Sequence, residues 1–132
     1  MSNARETGAL PNYLATAAIT VLLTLTGVML LAMMSRTAPH PPLEVPPFAL
    51  GPFLGASLAI GAAAFHVLSQ GGRHGATLAI LFALTALVSF GPQKYLDPQF
   101  SRIWPAVITA QVAVVTIFVW GVAAAWRRRR AP

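Results

Sequence analysis

Cysteine is absent from this 132-residue sequence, and charged residues are scarce. Without a thiol, the chain cannot form a disulfide, a thiolate metal site, an iron–sulfur cluster or a cysteine nucleophile. Charged residues make up 9% of the chain and hydrophobic residues 56%, whereas soluble domains carry roughly 25% charged residues. A soluble core of this size cannot bury so much apolar surface, so the surplus is expected to face lipid or other membrane proteins.

Carboxylates are the scarcest charged groups, and none falls within a long apolar run. The three acids are Glu6, Glu44 and Asp97. A transporter that couples to protons or sodium through a buried carboxylate is therefore disfavoured. No Ser-His-Asp constellation can be assembled from these positions, so we expect no enzymatic activity. His40, Glu44 and Asp97 lack the spacing of a metal site, and no metal is predicted.

Four apolar runs predict four transmembrane helices, at residues 13–34, 48–70, 75–91 and 103–126, before a basic tail at 127–132. The expected fold is a single all-α membrane domain, a compact bundle of four helices. The third run is close to the lower length limit for a span, so three spans plus a re-entrant segment is the alternative. A cleaved signal peptide is disfavoured, because the first run is too long and no small-residue cleavage site follows it.

Five prolines lie between the first two runs, at positions 39, 41, 42, 46 and 47. Proline lacks a backbone donor and favours extended conformations. This segment is therefore predicted to be a stiff surface connector.

The last run has a tryptophan near each end and stops at four arginines. A helix rises about 1.5 Å per residue, so Trp104 and Trp126 would lie about 33 Å apart. This distance is close to the hydrocarbon thickness of a bilayer, about 30 Å. Tryptophan is enriched at both membrane interfaces, and arginine on the cytoplasmic side. The pattern predicts a spanning helix whose position is set by Trp104, Trp126 and the block Arg127, Arg128, Arg129 and Arg130.

Positive charge is distributed unevenly between the two sides of a four-span chain. One side collects Arg5, Arg73 and the four terminal arginines, and the other collects Arg36, Lys94 and Arg102. The positive-inside rule therefore predicts that both termini are cytoplasmic, in a membrane such as the bacterial inner membrane. The arginines also suit anionic headgroups. Since no basic stripe exists outside this tail, nucleic-acid binding is excluded.

Small residues recur every four positions along the second run, at Gly51, Gly55, Ala59 and Ala63. Residues four apart share one face of a helix, and small side chains there let another backbone approach closely. This face is predicted to be the main packing seam of the protein.

His66 is the one histidine inside an apolar run, and its spacing places it on the same face as this seam. We expect it to point into a helix interface, and the favoured interpretation is structural: the imidazole hydrogen-bonds a backbone carbonyl or a nearby Ser or Gln, and no cofactor is bound. The alternatives are an axial ligand to a haem or to a chlorophyll-type magnesium, and a residue that handles a proton. Ala62 and His66 form A-x-x-x-H, which resembles the pigment-binding helices of the single-span light-harvesting antenna polypeptides of bacteria.

Gln111 is the polar residue inside the last run, and Thr16, Thr20 and Thr24 form a stripe on the first. An amide in a membrane interior can hydrogen-bond across helices, so Gln111 is predicted to join helices, with substrate contact as the alternative. The threonines can bond their own helix backbone and are predicted to form a second packing face.

Three functions fit these patterns. The first is a structural or accessory subunit of a larger membrane complex, without catalysis of its own. The second is a small transporter or channel made of several copies of this chain. The third is a haem- or pigment-binding membrane protein that uses His66. The expected partners are the lipid bilayer and other membrane subunits or further copies of the chain.

Overall fold

The computed structural model describes residues 3–38 and 47–130. It contains four α-helices: α1 (Asn3–Ser35), α2 (Pro47–Ser69), α3 (Gly75–Phe90) and α4 (Phe100–Arg130). All are long and apolar enough to cross a membrane, the third when it is counted together with the turn that follows it, as Gly75–Leu96. A short 3-10 helix at Pro92–Leu96 connects α3 to α4. The all-α membrane bundle predicted from the sequence is confirmed. Most of the proline-rich connector, with His40 and Glu44, lies outside the described residues.

Two helices extend beyond the apolar runs that predict them. α1 begins at Asn3 and continues through Pro11, and α4 continues through the four arginines to Arg130. Arginine, alanine, leucine and glutamate are good helix formers, so a helix that has left the apolar region need not end there. Hydropathy therefore predicts the spans better than the helix ends.

The helices are arranged in a closed ring in which each contacts the next and α4 also contacts α1. The core contains side chains from all four helices, and the largest fully buried one is Phe82 on α3. Ile19 and Leu22 from α1 and Ile117 from α4 complete this layer. Side chains therefore fill the interior of the ring around Phe82.

α2 meets its neighbours through Leu54, Ser57, Gly61 and Ala64, all of which are buried. Their spacing of three and four residues is that of one helix face. Gly61 is the point of closest approach, because a Cβ atom there would lie 2.7 Å from Leu23 of α1 and 2.7 Å from the Phe82 ring. Three helices therefore meet around a position that has room only for hydrogen.

Hydrogen bonds tie the ring together at the end that carries the N-terminus of α1 and the C-terminus of α4. Trp120 donates its indole N–H to the side chain of Asn12 over 3.3 Å. Arg128 donates to the carbonyl of Arg73, in the turn between α2 and α3, over 3.0 Å. That turn contains Gly71 at a φ of 69°, a left-handed conformation that glycine adopts without strain.

Candidate functional site

The face of α2 opposite its packed side contains the residues that the sequence suggests for function. Gly55, Ala59, Ala63 and His66 are all exposed on the outside of the bundle. No atom of another helix lies within 4 Å of a Cβ built on Gly55. We call these four residues the outer face of α2.

The predicted packing seam is therefore corrected for the single chain. Gly51 alone approaches a neighbour, since a Cβ there would lie 3.5 Å from Met33 of α1. Gly55, Ala59 and Ala63 pack against no other helix of the bundle, and α2 uses its Gly61 face instead. α2 carries small residues on two sides, and four-residue spacing alone does not distinguish them.

His66 is likewise placed differently from the prediction, because it does not point into an interface between helices of this chain. It lies in the last turn of α2. Ser69 donates to the backbone carbonyl of His66 over 2.8 Å, and not to its ring. Among the described residues the imidazole has no hydrogen-bond partner, so the hydrogen bond expected from the structural interpretation is not seen there.

A haem or a chlorophyll-type pigment does not fit the site that the chain forms alone. His66 supplies one axial ligand, but no helix of the bundle faces it to enclose a macrocycle. Within residues 3–38 and 47–130, no three His, Asp or Glu residues are grouped so as to hold a metal ion. Any such group would need walls supplied by another chain.

Gln111 lies where α3 ends and connects three elements. Its amide nitrogen donates to the carbonyl of Phe90 over 3.1 Å, and its amide oxygen accepts from the hydroxyl of Tyr95 over 2.6 Å. The Phe90 carbonyl is at the C-terminus of α3, where backbone acceptors lack helical partners. The side chain thus joins α4 to α3 and to the 3-10 helix.

The aromatic and basic ends of α4 face outward. Trp104 and Trp126 are 52% and 61% exposed, as tryptophans in contact with membrane interfaces would be. The guanidinium of Arg130 lies 5.8 Å from the ring centre of Trp126, within the range of a cation–π interaction. Arg127 and Arg129 are exposed as well. This end presents positive charge beside an aromatic ring, an arrangement suited to the headgroup region.

The threonine stripe of α1 bonds its own helix. Each of Thr16, Thr20 and Thr24 donates its hydroxyl to the carbonyl four residues earlier, over 2.9 Å. These bonds let the hydroxyls lie on the outside of the bundle without unpaired donors. The stripe therefore presents little polarity to its surroundings, and no other helix of the chain covers Thr20 or Thr24.

One polar contact inside the bundle has no counterpart among the sequence-based predictions. The hydroxyls of Ser57 on α2 and Thr85 on α3 lie 2.6 Å apart, and Thr85 is also 2.7 Å from the carbonyl of Phe82. Ser57 is buried at 2% exposure. Isolated hydroxyl residues in apolar runs are the only sequence signal for such a contact, and they do not identify the partner.

The candidate functional surfaces are therefore the outer face of α2, with His66 in its last turn, and the basic end of α4. The remaining polar side chains described above serve contacts within the bundle. Comparisons of the chain with protein-family models, with curated proteins and with solved structures give no match.

Proposed function

We propose that this protein is a structural or accessory subunit of a larger membrane complex, without catalysis of its own, and that the outer face of α2 is the surface that contacts its partner. The observation that carries the proposal is the exposure of Gly55, Ala59, Ala63 and His66 together on one helix face. The partner surface is a transmembrane helix of another protein.

Lipid and protein neighbours favour different residues on the surface of a helix. Hydrocarbon chains pack equally well against leucine or valine, so lipid contact alone gives no reason for a line of small residues. A second helix does, because small residues allow close backbone approach and extensive van der Waals contact. A histidine in the same line favours a protein partner further, because an imidazole is better accommodated beside a hydrogen-bonding group than beside acyl chains.

The packed centre of the ring argues against transport through a single copy. Phe82, Ile19, Leu22 and Ile117 fill it, and the buried polar residues of the described chain are only Thr26, Ser57 and Ser89. A transporter or channel made of several copies would need its path between copies, along exposed surfaces that are mostly apolar. Ligation of a haem or pigment by His66 would likewise require a second chain, and it is compatible with an accessory subunit.

Substitutions on α2 test the proposal. We expect a tagged protein, expressed at its native level and extracted in mild detergent, to co-purify with a stoichiometric membrane partner. Ala59→Leu should reduce the recovered partner at least tenfold, because the larger side chain separates the two helices. Ala17→Leu is the matched control: Ala17 is also exposed, but on α1, and its replacement should leave recovery unchanged.

Two results would contradict this proposal. One is a purified protein that contains only this chain, whatever the extraction conditions. The other is a partner whose recovery is equally insensitive to Ala59→Leu and Ala17→Leu. Circular dichroism of each variant establishes that the helices have formed, so that a lost partner is not a lost fold.

For orientation, we propose that both termini are cytoplasmic and that the membrane is a bacterial inner membrane. Support comes from the grouping of basic residues: the end with Arg73 and the four terminal arginines carries more positive charge than the end with Arg36, Lys94 and Arg102. Loops rich in Lys and Arg are retained in the cytoplasm.

Cysteine labelling checks this orientation cleanly, because the native chain has no cysteine. A single cysteine at Ala38 should react with a membrane-impermeant maleimide added to intact cells. A single cysteine at the exposed Gln70, in the turn between α2 and α3, should react only after the cells are broken. The reverse pattern would show that the bundle is inserted the other way round.

A further inference from the structure

A cavity of about 510 Å³ opens at the end of the bundle where α1 and α3 end and α2 and α4 begin. This volume is within the range of small-ligand sites, roughly 300–1,000 Å³. All four helices contribute to its walls, together with the segment between the 3-10 helix and α4. Val28 and Val88, on two of these walls, are 57% and 63% exposed, so the cavity is open to its surroundings.

The deeper part of the cavity is apolar. On α1 it is lined by Leu25, Met29 and Ala32, which share one helix face, and on α4 by Ala106 and Val107. From Leu25 to Ala32 a helix rises about 10 Å, so the apolar wall is about two turns deep. Such a wall suits a hydrocarbon chain.

The mouth of the cavity is polar and carries an ion pair. Lys94 Nζ lies 3.4 Å from Asp97 Oδ2, and the two side chains are only 23% and 15% exposed. The backbone N–H of Gln99 donates to Asp97 Oδ1 over 2.8 Å. This bond lowers the pKa of Asp97 below its usual value; burial opposes the shift, and the neighbouring Lys94 adds to it. The two charges of this ion pair offset each other at the mouth.

Lys94 has more hydrogen-bond donors than it uses within the described residues. An ammonium group carries three N–H donors, and within the described part of the chain only Asp97 accepts from this one. A head group with oxygen acceptors would find a donor at Lys94. A fully charged anion is less well suited, because the Asp97 carboxylate lies beside the same ammonium.

Ser89 adds a hydroxyl to the wall of the cavity. It lines the cavity and is 7% exposed. Its hydroxyl forms no hydrogen bond with any described residue, whereas the buried Ser57 is paired with Thr85. A ligand oxygen in the cavity would accept the Ser89 hydrogen.

From this combination we propose that the cavity binds an uncharged single-chain amphiphile, with its hydrocarbon chain between α1 and α4 and a carbonyl or hydroxyl head group at Lys94 and Ser89. The apolar wall contacts the hydrocarbon chain, Lys94 and Ser89 donate hydrogen bonds to the head-group oxygens, and the Lys94–Asp97 ion pair favours a head group without net charge. This binding site is separate from the outer face of α2 and does not depend on the accessory role proposed above.

The test uses a monoacylglycerol carrying a diazirine in its acyl chain, added to the full-length protein in lipid nanodiscs and irradiated. We expect saturable adducts, mapped by mass spectrometry, on residues 25–32 of α1 and 103–107 of α4. Unlabelled monoolein should compete better than oleate, because oleate carries a charge. Adducts spread evenly over the lipid-facing surface, or stronger competition by oleate, would overturn the proposal.

Two pairs of variants test where the ligand binds and whether the Ser89 hydroxyl contributes to binding. Ala106→Phe fills the cavity and should reduce the saturable adducts at least tenfold, whereas Val112→Phe, at an exposed site on the same helix, should not. Ser89→Ala removes only the hydroxyl and should weaken competition by monoolein roughly fivefold, the equivalent of one hydrogen bond. Ser101→Ala, at an exposed residue outside the cavity, is its control.

Each of these results bears on the proposal. Unchanged labelling in both Ala106→Phe and Ser89→Ala would overturn it. If Ala106→Phe fails to fold, the comparison of Ser89→Ala with its control Ser101→Ala decides whether the amphiphile binds in the cavity. Ala59→Leu, which tests the partner surface on α2, should leave labelling intact, so the failure of one proposal is distinguishable from failure of the other.

Discussion

Gly61→Leu is expected to lower the free energy of unfolding by about 3 kcal/mol, the upper part of the range for overpacking a core. A Cβ atom at this position would lie 2.7 Å from Leu23 and from the Phe82 ring, well inside van der Waals contact. Phe82 is fully buried and cannot rotate away without displacing its neighbours. α2 must therefore move away from α1 and α3, and contacts are lost along its whole packed face.

The measurement is an SDS titration of the protein in mixed micelles, followed by circular dichroism and tryptophan fluorescence. Gly55→Leu provides a matched control on the same helix, because a Cβ at Gly55 meets nothing within 4 Å. It should change the unfolding free energy by no more than about 0.5 kcal/mol, as is usual for surface substitutions. Equal destabilisation by the two variants would show that α2 packs through a different face.

Phe82→Ala is expected to destabilise the bundle by about 3 kcal/mol, because it removes the largest fully buried side chain and leaves a cavity among α1, α2 and α4. The residual cavity contributes much of this loss, since the neighbouring helices cannot collapse completely around it. The same SDS titration measures the effect. Leu84→Ala, on the same helix but 49% exposed, should cost far less.

The double variant of Gly61→Leu and Phe82→Ala tests whether the two residues share one packing site. Alanine at position 82 vacates the space that leucine at position 61 requires, so the combined loss should be smaller than the sum of the single losses. Residues in contact commonly show interaction energies of about 0.5–3 kcal/mol. Simple additivity would indicate that the two side chains do not meet.

Hydropathy predicted the four spans because burial in lipid requires long apolar runs, a constraint visible in sequence. Hydropathy did not predict which face of α2 is packed. Gly61 and Ala64 face the core while Gly55 and Ala59 face outward, yet both pairs are small and apolar. In a soluble helix, the polar side would have identified the exposed face. Lipid removes that contrast, so only the arrangement of neighbouring helices reveals which glycine is enclosed.

The cavity illustrates a second limit of sequence analysis. Lys94 and Asp97 lie in a segment that composition alone places at the headgroup level, and Ser89 resembles any hydroxyl at the end of an apolar run. Leu25 lies more than sixty residues away along the chain. These residues come together because the C-terminal ends of α1 and α3 and the N-terminal end of α4 line one cavity, an arrangement that no local pattern encodes. Gln111 was different, because an amide inside an apolar run requires a hydrogen-bonding partner wherever it lies.

The hydrogen bond between Asn12 and Trp120 has a consequence for biosynthesis. Its two ends are 108 residues apart along the chain, so at about 5–20 residues per second the ribosome needs about 5–20 s to produce the second after the first. Until α4 has been made, α1 and the later α3 lack the neighbour that closes the ring. A chain arrested before residue 100 exposes two unfinished packing surfaces to the membrane, and these would mark it for quality-control proteolysis or pairing with α4 of another copy.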